Sequence, residues 1–90
     1  KARCSKCHAG PYLTDMEVHD VGTRGDLDRS SEFDTPSLVE IYRTGPYLHN
    51  GSAATLREVL VERNESDRHG RSAHLNPQEI DDLVAYLQSL

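Results

Sequence analysis

The segment Cys4-Ser5-Lys6-Cys7-His8 has the C-x-x-C-H spacing by which c-type haem is attached to a polypeptide. The two thiols add to the two vinyl groups of the porphyrin and hold it covalently. The histidine that follows lies under the iron and serves as its proximal axial ligand. Cys4 and Cys7 are the only cysteines in the chain. The segment therefore predicts one covalently bound haem c with His8 as an iron ligand.

Three other interpretations of this segment stay open. A structural zinc site usually has four nitrogen or sulfur ligands in two separated pairs, and the sequence offers no second C-x-x-C. A thioredoxin-like redox pair belongs in a βαβ context, for which no pattern is present. A disulfide across two residues would close too small a loop to stabilise the chain much. All three are weaker interpretations than haem attachment.

The composition is that of one small acidic domain. The chain has 90 residues, of which 36% are hydrophobic, with no Trp and one Phe. Burial of so few apolar side chains scarcely offsets the conformational entropy lost on folding. We therefore expect the porphyrin to form the centre of the core. The formal net charge of −5, without a Lys/Arg run, argues against a nucleic-acid partner. No segment approaches the ~20 apolar residues of a membrane span.

Helix signals are concentrated in the second half of the chain. Thr35-Pro36 predicts the cap and first position of a short apolar helix that reaches Tyr42. Thr55-Leu56-Arg57-Glu58 fits a capping box and predicts a helix over residues 56–63. Asn76-Pro77-Gln78-Glu79 is a second cap signature, followed by apolar residues at helical spacing.

The first half of the chain lacks such periodicity. Residues 14–32 are rich in Asp, Gly, Arg, Thr and Ser, and we predict a solvated loop there. No alternating strand of useful length occurs. The fold class predicted is therefore mostly α, with short helices and long loops wrapped around one covalent haem.

Further motifs follow the attachment site in a fixed order. They are Gly10-Pro11-Tyr12-Leu13-Thr14-Asp15 with His19 and Gly22 after it, Thr35-Pro36-Ser37-Leu38, Gly45-Pro46-Tyr47-Leu48-His49-Asn50-Gly51, Ala54-Thr55-Leu56-Arg57-Glu58-Val59, Leu75-Asn76-Pro77-Gln78-Glu79-Ile80 and Leu83-Val84-Ala85-Tyr86-Leu87. Their order resembles the C-terminal haem domain of bacterial di-haem cytochrome c peroxidases and MauG-like proteins, from Cys4 to Leu90. The resemblance implies a small domain like that of class I cytochromes c.

The chain departs from this family in two ways. The family has two haem domains, whereas one C-x-x-C-H is present here. The family also has a helix before the attachment site that crosses the last helix, and only Lys1, Ala2 and Arg3 precede Cys4. We therefore expect residues 1–90 to form a single c-type haem domain of a larger protein, with the N-terminal helix truncated or supplied upstream.

The resemblance also bears on the second axial ligand. In the related domains a Met or Tyr ligand lies near the end of the helix after the Thr-Leu-x-Glu motif. That position falls at Arg63, whose guanidinium stays protonated and does not bind iron. Single-haem class I cytochromes place the ligand in the loop before the last helix, which here holds His69 and His74. We expect His69 to be the ligand, because Gly70 lets the backbone approach the ring closely. His74 and Met16 remain alternatives.

Other side chains are expected around the haem. The residues predicted to make apolar contacts with the porphyrin are Pro36, Leu38, Tyr47, Leu56, Val59 and Leu60. The candidate donors to the haem propionates are Arg24, Arg29 and Arg43, with the hydroxyls of Tyr42 and Tyr47. His19 and His49 match family motif positions where we expect a structural role through hydrogen bonds.

The function expected from these features is one-electron transfer by the bound haem, to a redox partner protein or an adjacent haem domain. The acidic balance favours docking to a basic patch. Because c-type haem is attached outside the cytoplasmic membrane, we expect a periplasmic or exported location. One alternative is a haem domain of a di-haem peroxidase or MauG-like oxidase. Another is a ligand sensor with a displaceable sixth ligand.

The haem interpretation makes a direct prediction. Because two thioether bonds survive denaturation, the unfolded protein keeps its haem colour on a denaturing gel and its mass increases by one haem. Mass spectrometry of the protein and of Cys4→Ala and Cys7→Ala variants measures this. A colourless chain that carries zinc would overturn the interpretation.

Overall fold

The computed structural model describes residues 2–90. Its regular elements, in chain order, are the 3₁₀ turn Cys4–Lys6, strand β1 (Val18–His19), strand β2 (Phe33–Asp34), the 3₁₀ turn Ile41–Arg43, helix α1 (Leu56–Leu60) and helix α2 (Pro77–Gln88). The described part of the chain is a small domain with few helices and long loops. The helices are shorter than a mostly α fold implies.

Helix α2 confirms the cap predicted at its start. The Asn76 side chain accepts a hydrogen bond from the Glu79 N–H at 2.8 Å, and the Glu79 carboxylate accepts one from the Asn76 N–H at 3.1 Å. Pro77 occupies the first turn, where a missing N–H costs nothing. Ile80 and Leu87 are buried on the inner face of the helix, as the apolar spacing predicts.

Helix α1 begins as predicted but ends three residues early. The Thr55 hydroxyl caps it by accepting from the Glu58 N–H at 3.2 Å. The helix ends at Leu60, and the Arg63 N–H bonds to the Glu58 carbonyl at 2.9 Å instead of continuing the helical ladder. The early end releases the chain into the loop that precedes α2.

The helix predicted to start at Thr35-Pro36 is wrong. Thr35 instead extends the β1–β2 ladder, because its N–H bonds to the Glu17 carbonyl at 2.9 Å and its carbonyl accepts from the Thr14 hydroxyl at 2.6 Å. Beyond Thr35, the Ser37 hydroxyl accepts from the Val39 N–H at 3.1 Å and Glu40 has a left-handed φ of 55°, so no α-helix runs on from Pro36. Helical geometry appears only in the 3₁₀ turn Ile41–Arg43. The predicted loop 14–32 likewise contains the short strand β1.

The core lies between α1, α2 and the 3₁₀ turn Ile41–Arg43. Its buried residues are Leu56, Leu60 and Leu87, and the partly buried residues packed against them are Leu38, Ile41, Tyr47, Leu83, Val84 and Leu90. The Glu40 N–H donates to the Leu90 carbonyl at 3.1 Å, which joins this turn to the end of α2. Within residues 2–90, no helix has the length and apolar character needed to cross a membrane.

The cap of α2 is expected to contribute measurably to stability. Asn76→Ala removes the acceptor for the Glu79 N–H and should lower the free energy of unfolding by about 1 kcal/mol. Asn76→Asp keeps an acceptor and should cost little. Urea unfolding of the haem-loaded protein measures both variants, and equal losses would contradict a role for the cap.

Candidate haem site

The attachment segment is a tight turn that prepares His8 to bind a metal. The Cys7 and His8 N–H groups both bond to the Cys4 carbonyl, at 3.2 Å and 2.9 Å. The His8 Nδ1 lies 3.0 Å from the Leu13 carbonyl oxygen. A carbonyl only accepts, so Nδ1 carries the proton and donates. The Nε2 lone pair of His8 is therefore available for a metal bond.

Both cysteines are free and half-buried. Burial is the main cause that raises the pKa of the Cys4 thiol above its ordinary value. Burial also raises the pKa of Cys7, and the nearby Asp15 carboxylate adds to this effect. Both thiols are therefore protonated at neutral pH.

His69, in the loop between α1 and α2, lies near His8. The centroids of the two rings are 6.5 Å apart and their planes differ by 35°. Burial, and to a lesser degree the charge of His8, lowers the pKa of His69, so its ring is neutral at pH 7. Among residues 2–90, His69 Nδ1 is the one buried side-chain nitrogen or oxygen without a hydrogen-bond partner. Two thiols, a histidine of fixed tautomer and a neutral histidine with an unpaired buried nitrogen fit a c-type haem.

A close backbone approach brings His69 to this position. Gly70 has a φ of 68°, and a Cβ at this residue would lie 2.8 Å from the Ala2 carbonyl oxygen and 3.6 Å from the Cys4 sulfur. The Arg71 N–H donates to the same Ala2 carbonyl at 2.7 Å. The glycine expected to permit close approach therefore packs against the attachment segment itself.

The two alternative axial ligands lie in exposed positions. Met16 is 86% exposed, and its N–H bonds to the Thr14 hydroxyl at 3.0 Å. His74 is exposed in the turn before α2. The structure therefore brings His69, and neither Met16 nor His74, into ring contact with His8.

His19 and His49 each pair with an aspartate. His19 Nε2 lies 2.6 Å from the Asp15 carboxylate, and His49 Nε2 lies 2.7 Å from the Asp28 carboxylate. The His49 ring also stacks on Phe33, with centroids 3.6 Å apart and planes 11° from parallel. These contacts agree with the structural role expected for both histidines.

The zinc interpretation finds one partial site. Within residues 2–90, the metal-ligand atoms of Cys7, Asp15 and His19 lie within 4.8 Å of one another. Asp15 and His19 are already paired with each other, and Cys4 is not part of the group. Thioether formation at Cys7 would remove its thiolate, so this group and haem attachment are mutually exclusive uses of one sulfur.

The expected propionate donors have partners within the protein. Arg24 donates to the Asp28 carbonyl at 3.0 and 3.2 Å, and Arg43 pairs with Glu40 at 3.3 Å. Arg29 is exposed. The Tyr47 hydroxyl donates to the Tyr42 carbonyl at 3.4 Å. A cavity of about 490 Å³ is lined by Arg24 and Arg63. Arg63 was not among the expected propionate donors.

The residues expected to contact the porphyrin fall into two groups. Leu38, Tyr47, Leu56 and Leu60 belong to the core cluster beside α1 and α2. Val59 is half-buried on α1, and Pro36 is exposed. Sequence reasoning missed Leu13, whose carbonyl fixes the His8 tautomer, since a main-chain acceptor has no residue-type signature.

Comparisons with known proteins find relatives of the chain among c-type haem proteins. The chain is 49% identical to hydrazine synthase subunit gamma of Kuenenia stuttgartiensis, over 89% of this chain and 22% of that subunit. It is 32% identical to the methylamine utilization protein MauG of Methylophilus methylotrophus, over its whole length and 32% of MauG. A cytochrome-c peroxidase of Denitromonas iodatirespirans is 29% identical over 37% of its length. The chain is a relative of the MauG and cytochrome c peroxidase group of c-type haem proteins.

A solved structure agrees with this relationship. Hydrazine synthase of Kuenenia stuttgartiensis, studied under 20 bar xenon, superposes on the whole chain with a TM-score of 0.85 and 32% identity, over 42% of the matched chain. No protein-family model matches the sequence. This chain spans less than half the length of each of these relatives. Their similarity to the chain supports a haem-based redox role.

The Asp15–His19 pair makes stability depend on acid pH. The Glu17 N–H, and after it the His19 ring, lower the pKa of Asp15 to about 2. A carboxyl whose pKa is depressed on folding stabilises the protein above its ordinary pKa of 3.8, and this contribution is lost as the pH falls towards 2. We expect Asp15→Asn to destabilise the protein at pH 7 and to become indistinguishable from the wild type near pH 2.

Chemical denaturation of the haem-loaded protein across this pH range measures the effect. The exposed Asp26 provides a control, because Asp26→Asn should follow the wild type at every pH. A pH-independent cost of Asp15→Asn would show that the carboxylate charge is not what stabilises the loop.

Proposed function

We propose that residues 1–90 form a single c-type haem domain that relays electrons one at a time. Cys4 and Cys7 would hold haem c covalently, and His8 and His69 would be its two axial ligands. When bound, the haem supplies a one-electron couple between ferric and ferrous iron. The observation that carries the proposal is the pairing of the His8 and His69 rings across a 6.5 Å centroid separation.

The ring separation supports axial ligation by both histidines. A bond from a metal to an imidazole nitrogen is about 2.0 Å long, so two rings that bind one ion from opposite sides have centroids roughly 6 Å apart. The separation between His8 and His69 is close to this value. Direct stacking would bring the rings much nearer, as the 3.6 Å separation of Phe33 and His49 illustrates.

The protonation of both rings supports the same role. The Leu13 carbonyl holds the proton of His8 on Nδ1, and burial keeps the His69 ring neutral. Metal ligation requires an unprotonated nitrogen on each ring. Burial favours such a nitrogen on His69, and the hydrogen bond to Leu13 uses Nδ1 of His8 and leaves its Nε2 to face a metal.

Ligation by two protein side chains favours electron transfer over reaction with peroxide. With His8 and His69 in place, neither axial position is open to an exogenous oxygen ligand. Two imidazoles also stabilise ferric iron more than a His/Met pair, since thioether ligation raises the reduction potential. We therefore propose a low-potential electron relay whose partner is a redox protein or an adjacent haem domain, in the periplasm or another exported location.

Absorption spectroscopy of ligand variants tests the assignment. The wild type should be low-spin in both oxidation states and lack the near-infrared sulfur-to-iron band of His/Met haem. His69→Ala should turn the ferric form high-spin and open it to azide. His74→Ala and Met16→Ala should leave the spectrum nearly unchanged, because both side chains are exposed.

Two outcomes would contradict the proposal. If His74→Ala or Met16→Ala causes the spin change and His69→Ala does not, the axial assignment is wrong. A high-spin wild type that turns over peroxide as fast as a di-haem peroxidase would favour the enzyme alternative.

A further inference from the structure

A buried polar cluster lies beside His69 that the ligand assignment does not use. We define the Asn64 cluster as Asn64, Asp67 and Ser72. Asn64 is 4% exposed and Ser72 is 8% exposed, and they are the buried polar residues of the described chain. Buried polar groups are stable only when hydrogen-bonded, so each bond of this cluster fixes the position of its partner.

Asn64 binds the backbone of His69 on both sides. Its Oδ1 accepts from the His69 N–H at 2.8 Å, and its Nδ2 donates to the His69 carbonyl at 3.0 Å. One side-chain amide therefore fixes both peptide groups that flank His69. Since these groups set the direction of the Cα–Cβ bond, Asn64 fixes the point and direction from which the imidazole leaves the backbone.

Ser72 and Asp67 join this clamp to the rest of the fold. The Asn64 Nδ2 also donates to the Ser72 hydroxyl at 3.0 Å, and that hydroxyl donates to the Leu60 carbonyl at the end of α1 at 2.5 Å. The Asp67 carboxylate accepts from the Ser72 N–H at 2.8 Å and from the Ala73 N–H at 3.1 Å. The loop is thus fastened to α1 by side chains.

The His69 ring itself has no such support. Its buried Nδ1 has no hydrogen-bond partner, whereas His8 Nδ1 is held by the Leu13 carbonyl. A ring without its own hydrogen bond depends on its backbone for orientation. The Asn64 cluster therefore adds to the Ala2 contact in fixing the backbone of His69.

We infer that Asn64 is a positioning residue for axial ligation, which acts with Ser72 to hold His69 in its ligating place. This inference rests on the proposed role of His69. When such a clamp is removed, the loop spends part of its time with His69 displaced, and an exogenous ligand gains affinity in proportion to that fraction. The Asn64 cluster would therefore set how readily the sixth coordination position of the iron opens.

Azide titration of the ferric, haem-loaded protein tests the inference. Asn64→Ala should increase the high-spin fraction and strengthen azide binding by about tenfold or more. Ser72→Ala removes the link to Leu60 and should shift the high-spin fraction and the azide affinity in the same direction. Ser72→Thr keeps the hydroxyl and should leave both at their wild-type values. The Ser72 pair provides the test should Asn64→Ala fail to load haem.

Two controls separate positioning from general destabilisation. Arg68→Ala alters the residue next to His69 but removes only a half-exposed ion pair with Asp20, at 2.7 Å, and should leave azide affinity unchanged. Asn76→Ala weakens the cap of α2 and should lower stability without changing the spin state.

A double variant tests the mechanism. In a His69→Ala background, Asn64→Ala should have no further effect on azide affinity, because the ligand that it positions is already gone. An additive effect of the two substitutions would overturn the inference. Unchanged azide binding in both Asn64→Ala and Ser72→Ala would also overturn it, provided that His69→Ala is high-spin. If His69→Ala leaves the protein low-spin, the proposed axial role fails, and the inference fails with it.

Discussion

The hydrogen bond from the Arg71 N–H to the Ala2 carbonyl is the contact on which the candidate site depends, because it joins the loop before α2 to the residues beside the attachment turn. At this point the backbone beside His69 lies against the backbone beside Cys4. Gly70 permits the approach, since any Cβ there would collide with the Ala2 carbonyl oxygen. The entropy lost in closing so long a loop grows only slowly with its length, so a modest set of contacts is sufficient to hold it.

Aspartate side chains accept hydrogen bonds from many loop N–H groups, which in other domains are paired within helices and sheets. Asp15 accepts from the Glu17 N–H, Asp20 from the Gly22 N–H and Asp28 from the Gly25 N–H. These bonds are the main cause of the lowered pKa of each carboxyl. Asp67 does the same for two N–H groups in the loop before α2. The acidic composition is therefore partly structural, and the net charge alone is weak grounds for inferring an acidic docking face.

The sequence predicts those structural features that depend on residues close together in the chain. The attachment turn, the cap of α2 and the cap of α1 each depend on residues within four positions, and the structure has all three. The helix predicted after Thr35 fails at Ser37, whose hydroxyl donates to the distant Tyr12 carbonyl and accepts from the Val39 N–H. The Asn64 cluster was missed for the same reason: three unremarkable polar residues acquire a common role only when the loop closes.

The separation of the two histidines by 60 residues of sequence separates covalent attachment from tertiary structure. Cys4, Cys7 and His8 form one local turn, which requires little of the remaining chain. The position of His69 depends on the contact of its loop with Ala2 and on its polar cluster. With haem attached, the number of imidazoles bound would then report whether the chain has folded. Loss of the long-range contacts would leave the haem attached through Cys4 and Cys7, with the proposed second ligand displaced and the iron open to exogenous ligands.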